Sequence, residues 1–188
     1  MEVLERARVY EGFLSVERAV VRYERFDGTM SEPVVRLRLE RPSAVGVLLY
    51  DPQRDLVALV EQFRYPVYAA GDRGWLLEIV AGVVPDGEAP QAVARAEAWE
   101  EAGLQVERLD HLATCYLSPG GSSERVHIYA AAVSLGGLVA RTGGLAAEGE
   151  DTRVRVLSRS QALRLVKSGG IADAKTIIAL QALGRSAS

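Results

Sequence analysis

The segment AGVVPDGEAPQAVARAEAWEEAGL, residues 81–104, contains a strand end, a loop and a helix in immediate succession. Gly82 ends the apolar stretch WLLEIVAG, and a polar loop follows it. We predict a helix over residues 89–102, because good helix formers follow Pro90, which fits a first-turn position. Gly103 stands where a C-capping glycine belongs. The sequence therefore predicts a strand–loop–helix unit.

Three glutamates, Glu97, Glu100 and Glu101, crowd into the second half of this helix. Residues three and four positions apart share a helix face, so Glu97 faces the same way as the other two. Like charges at this spacing cost roughly a few tenths of a kcal/mol per pair. A divalent cation reverses the sign of that interaction, and Mg²⁺ prefers carboxylate oxygens and bridges readily to phosphates. The triplet is therefore either a metal site or a solvated acidic face.

The fixed positions across the whole unit have the spacing G-x5-E-x8-E-x2-E-E-x-G, followed by a bulky apolar residue. They are Gly82, Glu88, Glu97, Glu100, Glu101, Gly103 and Leu104. This pattern resembles the Nudix box of the Nudix hydrolases, G-x5-E-x7-R-E-U-x-E-E-x-G-U, in which U is a bulky apolar residue. The resemblance implies a site that binds Mg²⁺ or Mn²⁺ against a diphosphate. It implies Glu97 and Glu101 as the principal metal ligands, with Glu100 nearby and the carbonyl of Ala81 as a further ligand in one branch.

The chain departs from the motif at the arginine that precedes the first glutamate of its second half, where it has Ala96. In the family that arginine helps to join loop and helix through ion pairs with box glutamates. Arg95 lies one position earlier, but a shift of one residue turns a side chain by about 100° around a helix, so we expect Arg95 to point elsewhere. The apolar position inside the box is also small, Ala98. We expect lower activity or a looser metal site.

Similarity to one branch of the family, the ADP-ribose pyrophosphatases, extends over almost the whole chain. The matching segments include YEGFLSVERAVVRYERFDGTMSE, LYDPQRDLVALVEQFR, LSPGGSSER, GLAAEGEDTRVRVLSRSQA and IADAKTIIALQAL. The resemblance implies an α/β fold: a Nudix α/β/α sandwich with a mixed sheet, plus a small N-terminal antiparallel β subdomain. We expect the subdomain to span residues 1–43 and the Nudix hydrolase domain residues 44–188. In this branch the subdomain exchanges between two protomers, so the resemblance implies a homodimer.

Hydrolysis of a diphosphate needs a water nucleophile, a base that takes its proton, and cations that offset phosphate charge. The branch places its base on a mobile loop with the pattern GLA-x-E-x-E-D, which is GLAAEGED here. The resemblance therefore implies Glu148 as the base and Glu150 as an additional metal contact. Glu124, in SSER, is a second candidate for the base or for a metal ligand, and Glu100 is a further catalytic candidate. Without the resemblance, the same loop would be interpreted as an acidic solvent-exposed loop.

Three residues match positions that face the substrate in this branch, and a fourth candidate lies just upstream of the box. Arg36 and Arg64 are the cations, and arginine can grip a phosphate with two parallel hydrogen bonds. Phe13 matches an aromatic residue that stacks on adenine, and Glu78, just upstream of the box, is a candidate for a polar contact to the nucleotide. The alternative for each arginine is a solvated surface charge.

The remaining pattern is mixed α/β and lacks the regular strand–helix alternation of a doubly wound sheet. An Asp-Gly turn predicts a hairpin near residues 19–40. Apolar strands precede and follow Asp51–Asp55, and two further strands follow the box helix. A helix should begin at Ser158 and end at Gly169, and a last helix follows. Residues 135–151 are glycine-rich and acidic, so we predict a surface loop.

Composition narrows the class of protein. The net charge of the 188-residue chain is -3 and there is no basic stripe, so nucleic acid is not an expected partner. No apolar run approaches the length of a membrane span, and the charged N-terminus does not resemble a secretory signal. The single cysteine, Cys115, fits a reducing cytoplasm and an interpretation as a small buried hydrophobe better than a catalytic thiol. His111 and His127 lack partners at ligand spacing and are interpreted as structural.

The predicted function is metal-dependent cleavage of ADP-ribose to AMP and ribose 5-phosphate by a cytoplasmic Nudix homodimer. The alternative within the enzyme class is a GDP-mannose or other nucleotide-sugar pyrophosphatase, which shares SPGG and the DAKT-like segment. The alternative from another class is a Nudix protein that binds ADP-ribose without hydrolysing it. Ala96 favours this last alternative, whereas four retained glutamates argue against it: Glu97, Glu100, Glu101 and Glu148.

Overall fold

The computed structural model describes residues 1–137, 142–143 and 151–185. The elements follow in the order β1 (Glu2–Glu11), β2 (Ser15–Arg22), β3 (Val34–Glu40), β4 (Ala44–Asp51), β5 (Leu56–Phe63), α1 (Tyr65–Ala69), β6 (Trp75–Glu78), β7 (Val80–Val83), α2 (Pro90–Ala102), β8 (Asp110–Tyr116), β9 (Arg125–Ala132), β10 (Thr142–Gly143), β11 (Thr152–Ser158), α3 (Arg159–Ser168) and α4 (Ala174–Arg185). The chain divides into two compact units. The first contains residues 1–42 and 116–125, and the second contains residues 43–115 and 126–188.

The first unit is built on a three-stranded antiparallel sheet in the order β1-β2-β3. The hairpin expected near residues 19–40 is confirmed, since β2 and β3 pair from Ser15 opposite Glu40 to Val21 opposite Val34. Its turn contains the Asp-Gly pair, and the backbone N–H of Thr29 donates to Asp27 Oδ1 over 2.9 Å. Strand β1 was not predicted, because two irregularities in its pairing with β2 interrupt the alternation of its side chains.

Residues 116–125 belong to the first unit, although the sequence placed them in the second. The backbone N–H of Leu39 donates to the carbonyl of Gly121 over 2.7 Å, and the N–H of Ser123 donates to the carbonyl of Leu39 over 3.1 Å. This segment therefore joins the edge of β3 by backbone hydrogen bonds, which no local sequence pattern indicates.

The second unit is a mixed sheet with helices on both faces. Strands run in the order β10-β11-β5-β4-β9-β8, with β6 beside β5 and β7 beside β4. Strands β4 and β9 are parallel, whereas β4 pairs with β5 and β7 in antiparallel fashion. Alternate residues of β4 and β5 enter two separate apolar cores, one with α2 and the other with α3 and α4. The expected α/β/α sandwich with a mixed sheet is confirmed.

The segment WLLEIVAG forms two short strands and not one. Strand β6 pairs with β5 and strand β7 pairs with β4, so the chain changes partners at Ile79. The backbone N–H of Ile79 donates to the hydroxyl of Thr176 over 2.8 Å. A side chain from α4 therefore accepts the hydrogen bond at the break between the strands. Because of this break, Ala81 and Gly82 lie in β7 and pair with β4.

The helix predicted over residues 89–102 is confirmed as α2, with Pro90 in its first turn. Gly103 has φ of 67°, the left-handed conformation that favours glycine, and its N–H donates to the carbonyl of Trp99 over 2.8 Å. The predicted start of α3 is also confirmed, since Ser158 and Gln161 form a reciprocal capping box. Among the helices of the described residues, none has the length and apolar content needed to cross a bilayer.

Candidate functional site

Gly82 and Glu97 lie in direct contact at the centre of the box. A Cβ at residue 82 would lie 1.7 Å from Glu97 Oε1, so the side chain of Glu97 can hold its position only beside a glycine. The box glycine is therefore required by close approach, because the carboxylate of α2 packs against the backbone of β7. Glu97 as a residue is half-buried beside this backbone.

Glu101 extends the same contact along the helix face. Its side chain is 3 % exposed, and its Oε2 accepts a hydrogen bond from the backbone N–H of Ala81 over 3.3 Å. Because Glu97 and Glu101 are four residues apart, both face β7. Glu100 is exposed. The structure therefore brings Glu97, Glu101 and the Ala81–Gly82 backbone together.

These donors fit a hard divalent cation. Carboxylate and carbonyl oxygens are the ligands that Mg²⁺ and Mn²⁺ take in proteins, and Glu97, Glu101 and the carbonyl of Ala81 supply that type of donor. Within residues 1–137, 142–143 and 151–185, however, no group of three His, Cys, Asp or Glu side chains is arranged to hold a metal. The two loop glutamates predicted to take part, Glu148 and Glu150, lie outside the described residues.

Ala96, the departure from the motif, is exposed on α2. The neighbouring Arg95 is engaged by backbone carbonyls. Its guanidinium donates to the carbonyl of Gln91 over 3.1 Å and to the carbonyl of Glu107 over 3.1 Å. Arg95 thus ties α2 to the segment that follows the helix.

Arg64 and Glu78 form a two-point ion pair. Arg64 Nε donates to Glu78 Oε1 over 2.7 Å, and Arg64 Nη2 donates to Glu78 Oε2 over 3.1 Å. Glu78 is 2 % exposed. Burial works to raise the pKa of Glu78, but hydrogen bonds and charge from Arg64, together with the charge of Lys175, outweigh it, so this pKa lies below its ordinary value. The carboxylate is therefore ionised at neutral pH.

The same pairing affects Arg64. Burial alone would lower the pKa of this guanidinium, but the hydrogen bond and charge of Glu78 raise it, with further contributions from the charges of Glu101 and Asp173. Arg64 therefore lies within electrostatic range of a box glutamate. Arg64 and Glu78 were each predicted to bind substrate. In the structure they form one ion pair next to the box, and not two independent contacts.

Two residues that the sequence did not single out complete this cluster. Lys175 Nζ donates to Glu78 Oε2 and, over 2.9 Å, to Asp173 Oδ1. Both residues lie where α4 begins. Lys175 is 97 residues away from Glu78 along the chain. The DAKT segment was the available signal, but its spacing contained nothing that pointed to a partner in β6.

Three predicted residues lie in the first unit. Phe13 is fully exposed in the turn between β1 and β2. Arg36 is exposed on β3, and its guanidinium donates to the carbonyl of Val35 over 3.0 Å. Glu124 Oε1 lies 3.1 Å from Arg41 Nε as an ion pair, although the geometry does not make a hydrogen bond. Arg36 and Glu124 thus form their contacts within the first unit.

A second charged cluster, which the sequence did not predict, surrounds Glu61 on β5. Arg153 donates to Glu61 Oε2 over 2.5 Å and Arg155 donates to the same oxygen over 2.8 Å. The hydrogen bond from Arg153 is the main reason why the pKa of Glu61 lies below its ordinary value. A cleft of about 500 Å³ adjoins this cluster and is lined in part by Arg73 and Trp75. The sequence signal for this cluster was the pair of arginines at alternate positions of β11, together with Glu61 in the opposite strand, β5.

The two histidines are joined through one hydroxyl. Thr114 Oγ1 lies 2.9 Å from His111 Nε2 and 3.1 Å from His127 Nδ1. Their interpretation as structural is consistent with these contacts between neighbouring strands. Cys115 is half-buried against the core beneath α3 and α4, as expected for a small hydrophobe.

The strand–loop–helix geometry and the sandwich around it define a Nudix domain. The NUDIX domain family matches residues 40–180, so this chain belongs to the Nudix family. The crystal structure of a protein described as an ADP compounds hydrolase superimposes with a TM-score of 0.72, covering 98% of this chain and 92% of the other at 21% identity. This likeness supports the fold.

Sequence relatives place the chain more finely within the family. The ADP-ribose pyrophosphatase of Escherichia coli strain K12 is 43% identical over 185 residues, which covers 96% of this chain and 86% of the relative. The ADP-ribose pyrophosphatase of Haemophilus influenzae is 39% identical over 184 residues, with 96% and 84% covered. The GDP-mannose pyrophosphatase of Yersinia pestis is 39% identical over 148 residues, with 78% and 73% covered. The resemblance drawn from the box and the longer segments is confirmed.

Proposed function

We propose that this Nudix protein hydrolyses the diphosphate of ADP-ribose, and of related nucleoside diphosphate sugars, with a bound divalent cation. The observation that carries the proposal is the contact of Gly82 with Glu97 beside the hydrogen bond from Ala81 to Glu101. This arrangement holds two carboxylates against the backbone of one strand, as a cation facing a diphosphate requires. The names of the relatives support the substrate class.

Each residue has a stated role in this proposal. Glu97, Glu101 and the carbonyl of Ala81 hold the cation, which we assign as Mg²⁺ or Mn²⁺. When bound, such a cation offsets the negative charge that develops on the diphosphate. Arg64, which Glu78 holds by two hydrogen bonds, donates its remaining N–H groups to a phosphate. The products of ADP-ribose would be AMP and ribose 5-phosphate.

The proton of the attacking water needs an acceptor, and we assign this role to Glu148. Glu150 would add a cation contact, and Glu100 and Glu124 are the remaining acidic candidates. Because the carboxylates of Glu97 and Glu101 already face β7, a base from a separate segment is chemically reasonable. A Glu148→Gln variant should lose turnover while it retains affinity for ADP-ribose.

We further propose that residues 1–43 act as a dimerisation subdomain. Strand β1 is exposed along its whole length, and apolar side chains of β1 and β3 are at least half exposed. These include Val3, Val9, Val35 and Leu37. A second copy of the chain would remove this apolar surface from water. Light scattering over a dilution series checks this: a monomer at every concentration would contradict it.

In the dimer, Phe13 and Arg36 would be contacts to the nucleotide. The cytoplasmic location stays a prediction.

The two alternatives remain distinct. A GDP-mannose preference is supported by the relative of that name. Binding without hydrolysis is favoured by Ala96 alone, since the other charged box residues are present.

One panel separates the three possibilities. Purified protein is incubated with Mg²⁺ or Mn²⁺ and with ADP-ribose, GDP-mannose and other nucleoside diphosphate sugars, and phosphomonoester release is measured. We expect the highest kcat/KM with ADP-ribose. Binding of ADP-ribose with no turnover of any compound would overturn the enzyme proposal.

Two matched variants test the metal assignment. Glu97→Gln should remove metal-dependent activity and leave the fold intact, because Gln preserves the size of the side chain. Glu107→Gln, an exposed glutamate beyond α2, is the control and should behave as the wild type. Activity that survives in Glu97→Gln would show that the cation is held elsewhere.

A further inference from the structure

The start of α4 is fastened to the break between β6 and β7. The hydroxyl of Thr176 accepts a hydrogen bond from the N–H of Ile79 over 2.8 Å and donates to Asp173 Oδ2 over 2.5 Å. Asp173 Oδ2 also accepts from the N–H of Thr176 over 2.9 Å, which caps the helix. Thr176 is fully buried, so this hydroxyl is the partner of a backbone donor that water does not reach.

The adjacent Lys175 acts on the other side of the same break. Its ammonium group contacts Glu78 and lies 2.9 Å from Asp173 Oδ1, and its side chain is 12% exposed. Glu78 in turn fixes Arg64 through Nε and Nη2. A guanidinium has five N–H groups, so three remain for a ligand once its plane is set by this pair.

Strand β4 leaves room for this arrangement. A Cβ at Gly46 would lie 2.7 Å from Ile79 Cδ1 and 3.7 Å from Lys175 Cδ. Gly46 also pairs with Ala81 across the sheet. The glycine thus permits Ile79 and Lys175 to pack over the strand next to the residue that leads into the box.

We propose that Asp173, Lys175 and Thr176, here called the α4 clamp, are positioning residues for phosphate and cation binding. The clamp holds Glu78 so that Arg64 presents its free N–H groups, and it holds Ile79 so that Ala81 stays beside Glu101. This inference rests on the proposed function, because it assigns the α4 clamp to that same site. It adds a role for a segment that contributes no ligand of its own.

The geometric half of the proposal is tested with Thr176→Val and Thr176→Ser. Valine removes the hydroxyl but keeps the volume, whereas serine keeps the hydroxyl. We expect Thr176→Val to raise the KM for ADP-ribose and the Mg²⁺ concentration for half-maximal activity by about tenfold each, with a smaller change in kcat. Thr176→Ser should return both to within about twofold of the wild type.

The charge half is tested with Lys175→Gln, which keeps a hydrogen-bond donor for Glu78 and removes the cation. The groups that face Glu78 are then Arg64 and the amide, while the charges of Asp173 and Glu101 act on Arg64. Loss of the ammonium charge lets Glu78 take a proton at higher pH, which weakens its hold on Arg64. The rise of KM at acidic pH should therefore begin at a higher pH than in the wild type.

The control is Lys167→Met, an exposed lysine in the last turn of α3, which should match the wild type in every readout. Thermal unfolding monitored by circular dichroism gives the folded fraction of each variant, and activities are expressed per folded protein. A purely structural role would lower the melting temperature of Thr176→Val and Lys175→Gln and leave KM, Mg²⁺ dependence and pH profile unchanged. That result overturns the inference, and if Thr176→Val does not fold, Lys175→Gln decides it. An inactive wild type would instead overturn the proposed function itself.

Discussion

Gly82 and Glu97 are so close that one methyl group cannot fit between them. The atom nearest to the position that a Cβ would take at residue 82 is Glu97 Oε1, and the next two atoms belong to the same side chain. Because the obstacle is the end of a flexible side chain, an alanine would displace the carboxylate and leave the strand in place. The glycine therefore sets the position of a predicted metal ligand more than it sets the fold.

We accordingly expect Gly82→Ala to reduce kcat/KM for ADP-ribose by about 100-fold, the loss typical of a misplacement of about 1 Å in an active site. Its free energy of unfolding should fall by no more than about 1 kcal/mol. Steady-state kinetics and urea denaturation measure the two quantities. Gly120→Ala is the matched control, because a Cβ there meets nothing within 4 Å. A large loss of stability with intact activity would contradict this account of Gly82.

Ala96 gives the second prediction. The residue is exposed, so an arginine at this position can extend along α2 without a clash with the core. We expect Ala96→Arg to raise kcat/KM by about three- to tenfold, equivalent to about 0.7–1.4 kcal/mol of transition-state stabilisation. Ala96→Lys, which adds the charge without the planar fork, should give a smaller gain. An unchanged kcat/KM in both variants would show that α2 is already held by the contact of Glu101 with Ala81 and by the Arg95 bonds.

The parts of this fold that the sequence predicted are those that depend on residues close together in the chain. Helix α2 was predicted from Pro90 and Gly103, and the start of α3 from Ser158, since caps act within a turn of the chain. Strand β1 was missed because irregular pairing hides its alternation.

In the site, too, the sequence predicted what depends on residues close together in the chain and missed what depends on distant ones. Glu97 and Glu101 were placed from spacing on one helix, and the structure shows both against β7. Lys175 was missed because its partner, Glu78, is 97 residues away in the chain and only the packing of α4 brings them together. The division of WLLEIVAG at Ile79 has the same origin, since Thr176 supplies its hydrogen bond.

The buried carboxylate of Glu78 gives the last prediction, which concerns stability against pH. Its pKa is lower in the folded protein than in the unfolded chain, because Arg64 and Lys175 outweigh the effect of burial. A lowered folded pKa contributes stability that is present above the unfolded pKa, about 4.3, and is lost as pH falls through the folded pKa. Glu78→Gln leaves two partly buried cations without their carboxylate, so it should cost about 3–5 kcal/mol at pH 7. The difference from the wild type should shrink as the pH falls below the unfolded pKa, because the unfolded chain then takes up a proton at Glu78 before the folded wild type does. Urea denaturation of both proteins between pH 3 and pH 8 measures this, and a difference that stays constant over the range would rule out the ion pair as its cause.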